Sequence, residues 1–139
     1  MFDLHGTERL TEWKKFRDSL EDSQDPFQDV LDLWTRAPFV SSFLNPRDPS
    51  TWPDPWHLVL DNRLDNLAIV LGILYTLKLT RRFMDSKYEI HMSIVDDKDP
   101  LYFLVIENRV LNYVYGSVVG LDSVKAQCSE IVWTGSTLP

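Results

Sequence analysis

Two stripes of apolar residues at helical spacing occupy the first quarter of the chain. In the first stripe Thr7 is positioned as the helix N-cap, and Asp25-Pro26 is a typical start for the second. Pro38 marks the end of the second helix. The pattern therefore predicts two helices within residues 7–37. Their core-facing positions are Leu10, Trp13, Phe16 and Leu20, then Phe27, Val30, Leu31 and Trp34.

Residues 38–55 contain five prolines interleaved with aromatic residues. Prolines disfavour regular secondary structure, whereas the aromatic residues favour packing, so an ordered loop is predicted. Asp54-Pro55 then repeats the helix-start pattern and predicts a short helix. Trp52 and Trp56 have two interpretations: they anchor this loop to the core, or they form an exposed aromatic platform for a protein partner.

A helix that is apolar on nearly all sides is predicted from Leu64 to Leu79. Such a helix is buried on several faces. Gly72 lowers helix propensity at its centre by about 1 kcal/mol, which indicates the close approach of another element.

The pattern then changes to period two over Tyr88–Ile94, followed by an uninterrupted apolar run over Leu101–Ile106 and a third segment over Val110–Tyr115. A turn is predicted at residues 96–100 and a tight connection at Glu107-Asn108-Arg109, which gives an antiparallel meander. Residues 121–129 are predicted as a short helix, and residues 131–133 as a last strand or a packed tail.

These elements predict a single α+β domain over residues 1–139, with N-terminal helices and a central buried helix packed on a three- to four-stranded antiparallel sheet. The helix-plus-meander core spans residues 56–133. The hydrophobic fraction of 44% is typical of a folded protein.

The net charge of −7 argues against nucleic acid as a partner, because non-specific affinity for phosphate backbones comes from Lys and Arg. The longest apolar run, Leu67–Leu77, is shorter than the ~20 residues of a membrane span. A single cysteine, Cys128, forms no internal disulfide, and the first residues lack a signal peptide. We therefore expect an intracellular protein without a membrane segment.

An acidic run without basic residues follows the first helical stripe. Such a run usually faces solvent, and acids also favour helix N-termini. The alternative is a partner-facing acidic patch, centred on Asp18, Glu21 and Asp22, that occupies a basic site on another protein. The run consists of Asp18, Glu21, Asp22, Asp25, Asp29 and Asp32.

His91 is the best candidate for chemistry in this sequence. It lies on the polar face of the first predicted strand, with Glu89 and Ser93 two positions away on either side. A histidine oriented by a carboxylate is a common general base. The alternative for His91 is a half-exposed strand histidine that has no functional role. No metal-ligand motif, glycine-rich phosphate loop or G-x-S-x-G turn occurs, so we expect neither metal nor cofactor.

An apolar helix that follows a Pro/Trp-rich loop, and then a meander whose first strand carries a histidine, resembles the core of transglutaminase-like and papain-like cysteine enzymes. This resemblance implies a Cys at the start of the helix, with His91 as the family histidine and Asn112 or Glu107 as its orienting residue. The helix start here reads Asn62-Arg63-Leu64-Asp65-Asn66, without a thiol, and Cys128 lies far along the chain. The resemblance thus implies a degenerate enzyme fold that has lost its activity.

A second resemblance is to small proteins of tailed phages. It rests on the string T-W-P-x-P-W at residues 51–56, Tyr75-Thr76-Leu77, and the later segment of residues 110–113. It implies a phage-encoded protein in the virion or host cytoplasm, with phage structural proteins as partners. Because the chain lacks a nucleophile at the helix start and any cofactor motif, and is rich in aromatic residues, we expect a non-catalytic structural or interaction protein. The alternatives are a hydrolase or acyl-transfer enzyme that uses His91, and an acidic inhibitor or adaptor of a host protein.

Overall fold

The structure is a computed structural model of the whole chain, and it describes all residues except 42, 95–98 and 125–128. The helices of this described part are α1 (Gly6–Leu20), α2 (Pro26–Trp34), α3 (Pro55–Asp61) and α4 (Asn66–Lys78), with short 3-10 turns at Pro49–Thr51 and Leu121–Ser123. The strands are β1 (Tyr88–Ser93), β2 (Leu101–Ile106), β3 (Arg109–Val114), β4 (Ser117–Gly120) and β5 (Ser129–Gly135). The predicted α+β class is confirmed, with at least one strand more than expected.

All the strands pair antiparallel in the order β4-β3-β2-β1-β5. Glu107 and Asn108 form the predicted tight turn between β2 and β3, and both have positive φ. The predicted last strand is β5, which lies beside β1 at one edge of the sheet. The predicted helix over residues 121–129 is wrong at both described ends, because a 3-10 turn covers only Leu121–Ser123 and Ser129 already belongs to β5. Residues 125–128, and 96–98 of the predicted turn, lie outside the described residues.

The side chains of the sheet alternate between two apolar clusters. On the inner face, Tyr88, Ile90 and Met92 of β1 join the large core that includes α4. On the outer face, Phe103, Val105 and Val110 form a second cluster with Tyr113, Val119 and Val124. Because alternate residues of a strand point to opposite faces, a position on β1 belongs to one cluster or the other.

α4 is the centre of the inner core, as its all-round apolar pattern predicts. All its residues except Asn66 and Ile69 are buried. The Trp34 ring occupies the space where a Cβ on Gly72 would lie, only 2.4 Å away. The predicted close approach at Gly72 is therefore confirmed, and the approaching element is α2.

The side-chain hydroxyl of Thr76 connects three helices in this core. The indole N–H groups of Trp13 in α1 and Trp34 in α2 both donate to Thr76 Oγ1, at 2.9 and 3.0 Å. Thr76 Oγ1 in turn donates to the Gly72 carbonyl at 2.6 Å. All three residues are fully buried, so the hydroxyl fixes how α1 and α2 pack on α4.

The helix starts show which local signals were reliable. Asp25 and Asp54 cap α2 and α3 through their carboxylates, as predicted. The Thr7 prediction is wrong: α1 begins at Gly6, where φ is +51°, and His5 occupies the N-cap position without a side-chain hydrogen bond. A positive φ is accessible to glycine without steric cost, so the helix starts earlier than the pattern suggests.

We expect Thr76→Val to destabilise the protein by about 2–5 kcal/mol, because two buried indole N–H groups lose their acceptor while the side-chain shape is kept. Thr76→Ser keeps the hydroxyl and is the matched control, with an expected cost of about 1 kcal/mol for the lost methyl group. Urea unfolding of the two variants and the parent gives the comparison. Equal losses for valine and serine would show that the hydroxyl contributes nothing specific.

The Tyr88 hydroxyl contributes pH dependence to the stability. Burial raises the pKa of Tyr88 to about 12, compared with about 10 for an exposed tyrosine. The folded state therefore retains this proton above pH 10, and the stability it contributes is fully present below about pH 10 and is lost as pH rises through about 12. We expect the free energy of unfolding to fall over that window, and the fall to be shallower in Tyr88→Phe.

Burial also raises the pKa of Tyr75, so part of the alkaline fall remains in that variant. Tyr88→Phe also removes two hydrogen bonds, one from Trp133 Nε1 and one to the Thr137 carbonyl. The quantity to compare is thus the slope with pH and not the stability at neutral pH. If the free energy of unfolding fell with pH equally steeply in the parent and in Tyr88→Phe, the raised pKa of Tyr88 would be contradicted.

Candidate functional site

The start of α4, where the resemblance places a catalytic cysteine, is built around the buried carboxylate of Asp65. Its Oδ1 accepts the N–H of Ala68 at 2.8 Å, which caps α4. Its Oδ2 accepts the N–H groups of Phe43 and Leu44, both at 2.9 Å. Only 2% of Asp65 is exposed. The carboxylate thus holds the proline-rich loop against the helix.

The next residue, Asn66, connects α4 to the sheet. Its Oδ1 accepts the N–H of Tyr102 at 2.8 Å, and on the neighbouring strand Asn112 Nδ2 donates to the Tyr102 carbonyl at 2.9 Å. Asn112 has a φ of +73°, and the residue lies where the pairing register between β3 and β4 shifts. The backbone of Tyr102 is therefore held from both sides by amide side chains.

His91 lies on the outer face of the sheet, away from α4. Its ring stacks on Phe103 of the outer cluster, with 4.9 Å between ring centroids. Its two flanking positions on β1, Ile90 and Met92, belong to the inner core with α4. The alternation of the strand therefore keeps His91 from facing the start of α4, which is where the resemblance requires it.

His91 nevertheless takes part in a chain of polar contacts. Its Nε2 lies 3.2 Å from Glu89 Oε1, and its Nδ1 lies 3.0 Å from Ser129 Oγ on β5. The predicted pairing of His91 with Glu89 is thus present. Ser129 was not predicted, because it is 38 positions away in sequence and reaches His91 only through the pairing of β5 with β1.

The other two residues that the resemblance suggested lie elsewhere. Asn112 contacts the Tyr102 backbone, as described above. Glu107 lies in the β2–β3 turn and accepts a hydrogen bond from Ser86 Oγ at 2.9 Å. Of the three residues Glu89, Asn112 and Glu107, only Glu89 has a side chain in hydrogen-bond contact with His91 in the described part of the chain.

The two tryptophans of the loop have different environments. Trp52 is 8% exposed, and its Nε1 donates to the Asn45 carbonyl at 2.8 Å, so it anchors the loop and is not an exposed platform. Trp56 is 45% exposed. It packs edge-on against Trp13, and the Arg17 guanidinium lies over both rings, 4.4 Å from the Trp13 centroid and 5.4 Å from that of Trp56. Burial in this stack lowers the pKa of Arg17.

The acidic run is not one free surface. Glu21 accepts the backbone N–H groups of Arg81 and Arg82, at 2.9 and 3.0 Å, so it has a structural role at the end of α4. Asp18 pairs with Lys14 on the exposed side of α1, and Asp22 is exposed. The remaining acids cap α2 or bind neighbouring polar side chains: Asp25, Asp29 and Asp32.

His57 and Asp61 are four positions apart in sequence, at a spacing that could share one face of α3, but the His57 side chain pairs with Asp54. His57 Nδ1 lies 2.8 Å from Asp54 Oδ2, and this exposed pairing raises the pKa of His57. In the part of the chain that the structure describes, there is no group of three or more His, Cys, Asp or Glu residues placed to hold a metal ion. Among the same residues, no helix has both the length and the apolar character needed to span a membrane.

Comparison with known proteins supports the fold resemblance. No family model matches the sequence, and no curated protein matches it. Among solved structures, the chain is similar in fold to calcium-bound LapG of Legionella pneumophila, with a TM-score of 0.70 and 13% sequence identity. The match covers 92% of this chain and 74% of LapG. LapG has the transglutaminase-like/papain-like fold, which agrees with the resemblance predicted from the sequence.

We expect Asp65→Ala to destabilise the protein by about 2–4 kcal/mol, because it removes a helix cap and leaves two loop N–H groups without their acceptor. Asp54→Ala is the matched control. Asp54 caps α3 with one N–H bond and also pairs with the His57 ring, both at an exposed position, so its loss costs about 1 kcal/mol. Chemical denaturation compares the two, and a similar cost for both would show that Asp65 acts only as a cap.

Proposed function

We propose that this chain is a non-catalytic protein-interaction module built on a transglutaminase-like fold. The observation that carries this proposal is the start of α4. There Asp65 and Asn66 use their side chains to hold a loop and a strand, and no thiol or hydroxyl nucleophile begins the helix. His91 lies on the opposite face of the sheet. A covalent mechanism needs a nucleophile and its base in contact, and at this place the chain supplies neither.

The phage-like sequence strings support a proposal about the biological setting. We propose that the protein is phage-encoded and works within a virion or another protein assembly in the host. Mass spectrometry of purified particles from the native source tests this part. Recovery in stoichiometric amounts with capsid, neck or tail proteins supports it, and absence from the particles would restrict the protein to a role in the host cell.

A second candidate function is hydrolysis or acyl transfer at the outer face of the sheet, and the contacts of His91 with Ser129 and Glu89 favour it. In such a reaction Ser129 Oγ would attack a carbonyl carbon as His91 Nδ1 takes its proton. His91 would then protonate the leaving group as its bond to the carbonyl carbon breaks, and Glu89 would stabilise the imidazolium. Water or an acceptor nucleophile would release the acyl group and regenerate the Ser129 hydroxyl. We rank this function second because Ser129 is the first residue of β5 and pairs there with Ser93, whereas hydrolase serines commonly lie on an exposed, sharp turn.

We expect no ester or peptide hydrolysis by the purified protein and no labelling of Ser129 by a fluorophosphonate probe. Ser129→Ala and His91→Ala are the variants to compare, because both positions lie on the outer face, away from the α4 core. Labelling or turnover that disappears in both variants would overturn the non-catalytic proposal in favour of the second candidate. A thiol-directed probe, with Cys128→Ser as its control, tests the single cysteine in the same way.

A further inference from the structure

A pocket of about 370 Å³ opens beside the loop that Asp65 holds. We call it the loop pocket. Its apolar wall comes from the proline-rich loop and α3, and its rim carries two charges from the end of α3 and the α3–α4 connection. The apolar residues are Phe43, Leu44, Pro53 and Leu58, and the charged residues are Asp61 and Arg63.

The walls of the loop pocket are held in place by buried polar side chains. Asp65 binds the N–H groups of Phe43 and Leu44 on one side. The hydroxyl of Tyr75, a buried α4 residue, donates to the Pro53 carbonyl at 2.8 Å on the other side. The pocket is therefore formed before any ligand binds, which reduces the entropy lost on binding.

The two charges at the rim lack a direct ion-pair partner within the described residues, and Asp61 acts only through space on His57, whose pKa it helps to raise. Neither Asp61 nor Arg63 forms a side-chain hydrogen bond or a salt bridge there, and both are exposed. The Arg63 guanidinium lies 4.6 Å from the centroid of the Phe43 ring. A cavity that has an apolar wall and carries a cation and an anion at its rim is complementary to an apolar group flanked by an acid and a base.

We propose that the loop pocket binds the apolar side chain of a peptide segment of the partner protein. An acidic residue on one side of this anchor pairs with Arg63, and a basic residue on its other side pairs with Asp61. This proposal rests on the proposed interaction function and specifies its binding site. The anchor supplies most of the affinity through burial, and the two charges set the direction in which the peptide lies.

The test uses capped pentapeptides with a central leucine or phenylalanine flanked by glutamate and lysine, in both orders. Binding is followed through the amide NMR shifts of the isotope-labelled protein, up to about 5 mM peptide, enough to detect a millimolar Kd. We expect shifts at Phe43, Leu44 and Arg63, and tighter binding for one order of the charges. Replacing the central residue by serine is expected to weaken binding by about tenfold or more.

Variants of the pocket separate this site from other surfaces. Thr51 also lines the loop pocket and is exposed, so Thr51→Phe fills the cavity with little effect on the core. We expect it to abolish binding. Arg63→Ala and Asp61→Ala are each expected to weaken binding about two- to fivefold, because both charges are exposed. Arg81→Ala and Asp122→Ala, which remove exposed charges outside the pocket, are the matched controls and leave binding unchanged.

Several results would overturn the proposal. The first is that no peptide changes the amide NMR shifts, and the second is that the changes persist in Thr51→Phe. The third is that free leucine or phenylalanine causes equally large changes, which would indicate a small-molecule site. A partner captured equally well by the parent and by Thr51→Phe would refute the loop pocket but leave the interaction function standing. Turnover dependent on Ser129 and His91 would instead refute the interaction function itself.

Discussion

The packing of this protein depends on one buried hydroxyl group. Thr76 Oγ1 accepts two indole N–H groups and donates to a carbonyl, which uses the full hydrogen-bonding capacity of a hydroxyl. Gly72, one turn earlier on α4, provides the space for the Trp34 ring. The two residues act together, because the missing Cβ lets the ring come close and the hydroxyl fixes its orientation. The positions of α1 and α2 follow from this contact.

Polar side chains also fix both ends of α4, although the helix itself is almost wholly apolar. At its start Asp65 accepts three backbone N–H groups. At its end the ammonium group of Lys78 donates to the carbonyls of residues 84, 86 and 136. Burial lowers the pKa of Lys78, which is the cost of placing a cation there. Apolar packing alone is non-directional, so these contacts determine where the loop and the C-terminal residues lie against the helix.

The sequence predicted features that depend on neighbouring residues and missed those that depend on strand pairing. The caps at Asp25 and Asp54, the buried α4 and the pairing of His91 with Glu89 all follow from local spacing. The contact of His91 with Ser129 requires β5 to lie beside β1, which no local pattern encodes. β4 was missed as well, because a glycine such as Gly116 is equally consistent with the end of a sheet, whereas here its φ of +73° forms the turn between β3 and β4.

The two-residue period of β1 also bears on function. The side chains that face α4 are those of Tyr88, Ile90 and Met92, so a histidine at position 91 must face the other side of the sheet. Only a shift of β1 by one residue in register would bring His91 to the start of α4. This register shift would move the apolar side chains of β1 out of the inner core, so its free-energy cost makes it inaccessible. The loop pocket and the His91 contacts are therefore built on different parts of the fold, with the sheet between α4 and His91. Substitutions at the loop pocket and at His91 thus test the proposed binding function and the second, catalytic candidate separately.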